Sequence, residues 1–134
     1  TCHSLIDGAA KLGIELWIAT PEGFEPNQRI VTEAEKVAKE TGGRIEILYS
    51  PEEAVRGATI VYTDVWASMG QEAETEDRAS VFSDYQVNRK LMSLASRNAV
   101  FMHCLPAHRG EEITSEISQK SFSLLKGLLP HSSK

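Results

Sequence analysis

Four short β-type runs alternate with segments of helical periodicity, and that alternation constrains this chain more than any other feature. Cys2, Leu5, Ala9 and Leu12 recur at helical spacing, with Gly13 standing where a C-cap belongs. Ile14, Leu16, Trp17 and Ile18 read as a strand, closed by the turn-forming Thr20–Pro21–Glu22–Gly23. Ile30, Val31, Ala34, Val37 and Ala38 then draw a helical stripe that Gly42–Gly43 stops. Ile45, Ile47 and Tyr49 alternate as a second strand. Ser50–Pro51–Glu52–Glu53 combines a capping box with a first-turn proline, so a short helix is expected to reach Gly57. Thr59–Thr63 is the third strand, Asp64 to Asp77 a polar segment, Val87 to Ala95 a helix, and Ala99–His103 the fourth strand. Such βαβ order predicts an α/β chain: a Rossmann-like parallel sheet with helices on both faces, incomplete at about four strands.

The totals exclude several classes. A chain of 134 residues is about one domain's worth, enough for a single core. Its formal net charge is −5 and its Lys and Arg are scattered, so no phosphate-backbone footprint and no nucleic-acid partner are expected. The longest apolar runs fall far short of the roughly 20 residues that span a bilayer, so no membrane association is expected either. No basic start followed by an apolar core marks a signal peptide. Cys2 and Cys104 lie on different elements, which favours reduced thiols in a cytoplasmic setting over a structural disulfide. His3, His103, His108 and His131 show no metal-ligand spacing, so a metal site is poorly supported, and no glycine-rich phosphate loop occurs.

The chemistry concentrates at two strand ends. Ala99–Val100–Phe101–Met102 is apolar on both faces and reads as a buried strand. It runs into His103, Cys104 and Leu105, and Pro106 stops it because proline cannot donate to a sheet ladder. The other end carries Asp64, Trp66, Ser68 and Met69. In a parallel sheet both ends lie on one edge, where ligands of open α/β sheets bind, so Asp64, Ser68, His103 and Cys104 can converge. Asp64 suits an ammonium group, or else caps a turn. His103 suits an anion or a carbonyl oxygen, or else is a hydrogen-bonded histidine at a strand end. Cys104 is a nucleophile or a pocket-lining thiol. Ser68 is a polar contact or a turn residue, Met69 a ligand contact or packing, and Trp66 a packing residue. Leu105–Pro106 is a candidate cis bond, since X–Pro is the junction where cis is cheap.

Taken together, Asp64-x-Trp66-x-Ser68-Met69-Gly70-Gln71-Glu72 and His103-Cys104-Leu105-Pro106 resemble the aspartate/ornithine transcarbamylase family. The likeness is to the ornithine-binding, carboxyl-terminal domain of its ornithine carbamoyltransferase branch. Ala19-Thr20-Pro21-Glu22-Gly23-Phe24-Glu25-Pro26 and Tyr85-Gln86-Val87 also read as family segments, and the likeness runs from about Cys2 to Ile117. The resemblance implies transfer of a carbamoyl group from carbamoyl phosphate to the δ-amine of L-ornithine, giving citrulline and phosphate without a metal or organic cofactor. It implies that Asp64, Ser68 and Met69 hold ornithine, with Asp64 on the α-ammonium. It further implies that Cys104 orients or accepts a proton near the δ-amine, that His103 bonds the carbamoyl oxygen, and that Leu105 offers its carbonyl to the amine. Trp66 and Pro106 are structural on this reading.

The family's S-T-R-T and H-P-x-Q segments do not occur in this sequence, nor does its E-N-R. On the resemblance, residues 1–117 form a partial ornithine-binding domain and residues 118–134 a divergent, loosely packed tail. The chain alone is expected to be monomeric, although full-length relatives are homotrimeric, and not to turn over ornithine. A non-catalytic amino-acid-binding module is the alternative, as is an inactive fragment. Within the family, aspartate or an N-acyl-ornithine is the alternative substrate. An NAD-binding Rossmann domain is a weaker one, because the glycine fingerprint is absent.

Overall fold

The computed structural model describes residues 1–66 and 75–119, and they fall into two units, divided between Ala54 and Val55. The first unit opens with helix α1 (Cys2–Leu12), strand β1 (Glu15–Ala19), helix α2 (Gln28–Thr41) and strand β2 (Arg44–Leu48). Strands β1 and β2 pair in parallel, with Leu16 opposite Ile45 and Ile18 opposite Ile47. Ile6, Ala9 and Ala10 of α1, Val31, Ala34 and Ala38 of α2, and Ile45 of β2 close into one core. Val31, Ala34 and Ala38 lie on the stripe expected for α2, but α1 turns a different face inward: of Cys2, Leu5, Ala9 and Leu12 only Ala9 is in the core, beside Ile6 and Ala10, and the other three are exposed. Asn27 caps α2 by accepting the Arg29 N–H at 3.0 Å.

Both helices end on left-handed glycines, and the two ends touch. Gly13 has φ 69°, and a Cβ on it would lie 2.6 Å from the Thr41 carbonyl oxygen. The Thr41 hydroxyl in turn donates to the Ala10 carbonyl at 2.5 Å. Glycine is thus required at position 13 by backbone conformation and by close approach together.

Helix α3 (Pro51–Val55) leads into the second unit. Ser50 accepts the Glu53 N–H at 3.3 Å, as its capping box predicts. Beyond it come β3 (Ile60–Thr63), α4 (Thr75–Phe82), a single 3-10 turn (Ser83–Tyr85), α5 (Arg89–Met92) and β4 (Val100–His103). Residues 115–119 are helical again. Strands β3 and β4 pair in parallel, so the expected four parallel strands hydrogen-bond as two pairs among the described residues. Val55, Val61, Val87, Leu91, Phe101, Ile113 and Ile117 make the core of this unit.

Three local expectations change. The helix expected from Val87 to Ala95 is only Arg89–Met92, because Val87 is drawn into a bridge with Ile113. The Val87 N–H donates to the Glu112 carbonyl at 2.8 Å, and the Thr114 N–H to the Val87 carbonyl at 3.2 Å. Asn88 then caps the helix on the Leu91 N–H. Helix α4 starts inside the polar segment expected from Asp64 to Asp77 and runs on to Phe82; its sequence TEDRASVF carries no apolar stripe to announce it. Finally, β4 is not apolar-buried on both faces: Phe101 is buried with its partner Val61, while Val100 and Met102 are exposed. Among the described residues, no helix is long and apolar enough to cross a membrane.

Candidate active site

The register of β3 and β4 builds the site. Thr63 stands opposite His103, so the next residues, Asp64 and Cys104, emerge side by side from the same sheet edge. The Cys104 thiol donates to Asp64 Oδ1 at 2.8 Å. The same oxygen accepts the Val65 N–H at 2.8 Å. Cys104 is exposed as a residue, but partial desolvation of its sulfur by its neighbours, then the Asp64 carboxylate, pushes the thiol above its ordinary pKa, partly opposed by the Tyr62 hydroxyl. At neutral pH the sulfur is therefore a protonated donor to Asp64 rather than a thiolate nucleophile.

The histidine is committed in a different direction. Its side chain is 4% exposed, and Nδ1 accepts the Leu105 N–H at 2.8 Å. With Nδ1 an acceptor in that bond, the network assigns the ring proton to Nε2, which faces Glu112 Oε1 at 3.0 Å. Leu105 itself has φ 55°, a left-handed backbone that leucine rarely adopts, and the Leu105–Pro106 bond is cis. The turn thus carries Cys104, Leu105 and Pro106 outward, all exposed, from a histidine anchored inside. Trp66 packs its ring on Phe82 at 6.2 Å, and its carbonyl accepts from Arg78 Nη1 at 3.3 Å.

Residues 1–125 match the family model described as "Aspartate/ornithine carbamoyltransferase, Asp/Orn binding domain". The chain belongs to the aspartate/ornithine carbamoyltransferase family. It is 52% identical over 116 residues to the ornithine carbamoyltransferase of Pyrococcus horikoshii, covering 87% of this chain and 37% of that protein. For the Methanothermobacter thermautotrophicus enzyme the identity is 56%, with 87% and 38% covered. The solved Pyrococcus furiosus ornithine carbamoyltransferase superposes with a TM-score of 0.83 at 50% identity, over 87% of this chain and 37% of that one. The anabolic enzyme of Campylobacter jejuni gives 0.88 at 37% identity, over 92% and 41%. The chain therefore spans about two fifths of the length of these relatives, and their solved structures carry the Rossmann-like α/β fold expected from its sequence.

Within this carbamoyltransferase-family chain, the structure brings together Asp64, His103, Cys104 and Leu105 of the residues singled out from sequence. Ser68 and Met69 lie outside the described residues. Two participants escaped the sequence reading. Tyr62 precedes Asp64 by two positions and so shares its face of β3; burial first, then its hydroxyl's bond to Cys104, raises the phenol's pKa. Period-two alternation was a signal that could have found it. Glu112, fully buried, sits in a Glu–Glu pair that looks like a solvated turn, and only the fold shows it turned inward. His108, Glu111 and Glu112 also bring one ligand-type atom each within 4.8 Å of one another. Glu112 Oε1 is already engaged there by His103 and by the His108 N–H, at 2.6 Å, so the group reads as a hydrogen-bonded turn.

Proposed function

We propose that this chain supplies the ornithine side of an ornithine carbamoyltransferase, with L-ornithine and carbamoyl phosphate as substrates and no cofactor. The observation that carries the reading is the Asp64–Cys104 pair at the carboxyl edge of β3 and β4, within sequence motifs shared with that family. Asp64 is an anion at an open sheet edge and suits the α-ammonium of an amino acid, a charge-assisted contact. Ser68 and Met69 complete the ornithine contacts in this reading. Cys104, held protonated beside Asp64, orients the δ-amine and relays its proton rather than attacking a substrate. The Leu105 carbonyl accepts from the same amine. Both ring nitrogens of His103 are engaged with the protein, so we assign it to holding the turn; reaching the carbamoyl oxygen would require one of those bonds to open.

The S-T-R-T and H-P-x-Q segments that the family resemblance assigns to carbamoyl phosphate do not occur in this sequence. Because the reaction depends on holding two substrates in one geometry, the 134 residues by themselves are expected to bind ornithine without forming citrulline. The chain's two free cysteines suit a cytoplasmic setting. Calorimetric titration with L-ornithine tests the reading: heat of binding that vanishes in Asp64→Ala supports it. A folded chain that gives no heat, or binds equally well without Asp64, would refute it.

A further inference from the structure

We propose that Glu112 is a positioning residue for Cys104: it holds His103, and through His103 the Cys104–Leu105–Pro106 turn, so that the thiol meets Asp64. Glu112 is completely buried, and Oε1 alone accepts two bonds, from His103 Nε2 at 3.0 Å and from the His108 N–H at 2.6 Å. Its Oε2 is buried without a hydrogen-bond partner. A carboxylate in that position carries a large desolvation cost, so it contributes through the two groups it ties together rather than through burial. Those groups are the end of β4 and the segment that returns after the cis proline. Their joint acceptor closes the loop from position 103 to 108.

The mounting of Glu112 is rigid. Its carbonyl accepts the Val87 N–H, its neighbour Ile113 is a core residue at 1% exposure, and the Gln86 amide donates to both the Gly110 and Glu111 carbonyls. By contrast, Cys104, Leu105 and Pro106 are exposed and have little packing to hold them. Leu105 sits in a left-handed conformation that leucine disfavours, and its N–H is tied to His103 Nδ1. The order of support therefore runs from Glu112 to His103 to Leu105, with Cys104 caught between the two.

The test uses thiol chemistry in a Cys2→Ser background, so that alkylation reports Cys104 alone. Two titratable groups face that sulfur, Asp64 and Tyr62. If Glu112 positions the thiol, Glu112→Leu lets the sulfur leave Asp64. The pH midpoint of alkylation then falls toward that of an ordinary thiol, and half a unit of it means about threefold faster alkylation near pH 8. Glu112→Gln keeps an oxygen for both donors and is expected to restore the wild-type profile. An unchanged profile in a folded Glu112→Leu protein, or a Glu112→Gln profile that matches Glu112→Leu, would overturn the proposal.

Should Glu112→Leu fail to fold, the side-chain 15N spectrum of His103 in the unsubstituted protein decides. The Nε2–H tautomer is expected, and an Nδ1–H tautomer rejects the relay. The ornithine consequence rests on the function proposed above and is read separately, as weakened ornithine binding in Glu112→Leu. A shifted thiol profile together with no ornithine binding in any variant would support the positioning role and count against the ornithine reading alone.

Discussion

The Cys104 thiol and the Asp64 carboxylate, 40 positions apart in sequence, meet at 2.8 Å because their strands end in the same register. Replacing Asp64 by Asn keeps an acceptor but removes the charge. The Cys104 alkylation midpoint should then fall, yet stay above that of a free thiol, since partial desolvation of the sulfur is the larger cause of its elevation. Iodoacetamide rates from about pH 7 to about pH 10 measure it. Identical midpoints in the two proteins would mean that the pair is not formed in solution.

The same elevation gives a pH dependence of stability. In the folded chain the thiol holds its proton to higher pH than in the unfolded chain, so above the unfolded value, near pH 8.5, the unfolded state binds fewer protons. Stability present below that point is therefore lost as pH rises toward the folded value. The raised Tyr62 phenol extends the loss into the more alkaline range, beyond about pH 10. Urea midpoints measured against pH should decline across this window, and Cys104→Ala should flatten the earlier part of the decline. A decline of the same steepness in Cys104→Ala would assign it to other groups.

Gly13→Ala and Gly42→Ala separate backbone conformation from close approach. Both glycines are left-handed helix caps, with φ 69° and 85°, but only at Gly13 would a Cβ meet a neighbour, the Thr41 carbonyl oxygen. Gly42→Ala should cost about 1 kcal/mol for conformation alone. Gly13→Ala should cost about 2 kcal/mol or more, because the backbone must also shift. Thermal or urea unfolding compares them; equal losses would contradict the contact.

Ile113 joins the core beside the residue that bonds His103. At 1% exposure, Ile113→Ala should destabilise the second unit by about 2–4 kcal/mol, the usual range for truncating a buried isoleucine. A loss of under about 1 kcal/mol would mean that this segment is not packed as described.

Much of this fold was legible because its elements obey local rules. The stripe of α2, the glycine caps and the capping box at Ser50 each follow from residues a few positions apart, whereas α1 was placed as a helix but with the wrong face inward. The convergence of Asp64 and Cys104 also followed, since parallel strands send their carboxyl ends to one edge. What escaped depends on contacts far apart in sequence. Val87 leaves its helix for a bridge to Ile113, 26 positions on, and no local pattern announces that competition. Likewise Glu112 is buried by the company of His103 and His108, whereas its own sequence neighbours, Glu111 and Gly110, suggest solvent. The exposed Val100 and Met102 show a related limit: apolar character marks a strand without saying how many of its faces are covered.

The contact between the two helix ends in the first unit has a consequence for motion. Gly13, Thr41 and Ala10 form a single knot of backbone and hydroxyl, so neither helix can unwind from its carboxyl end without loosening the other. Fraying of α1 and α2 is left to their amino ends. Amide hydrogens near this knot should exchange only in openings that involve both helices together, with a common protection factor, while those of the first turns exchange independently.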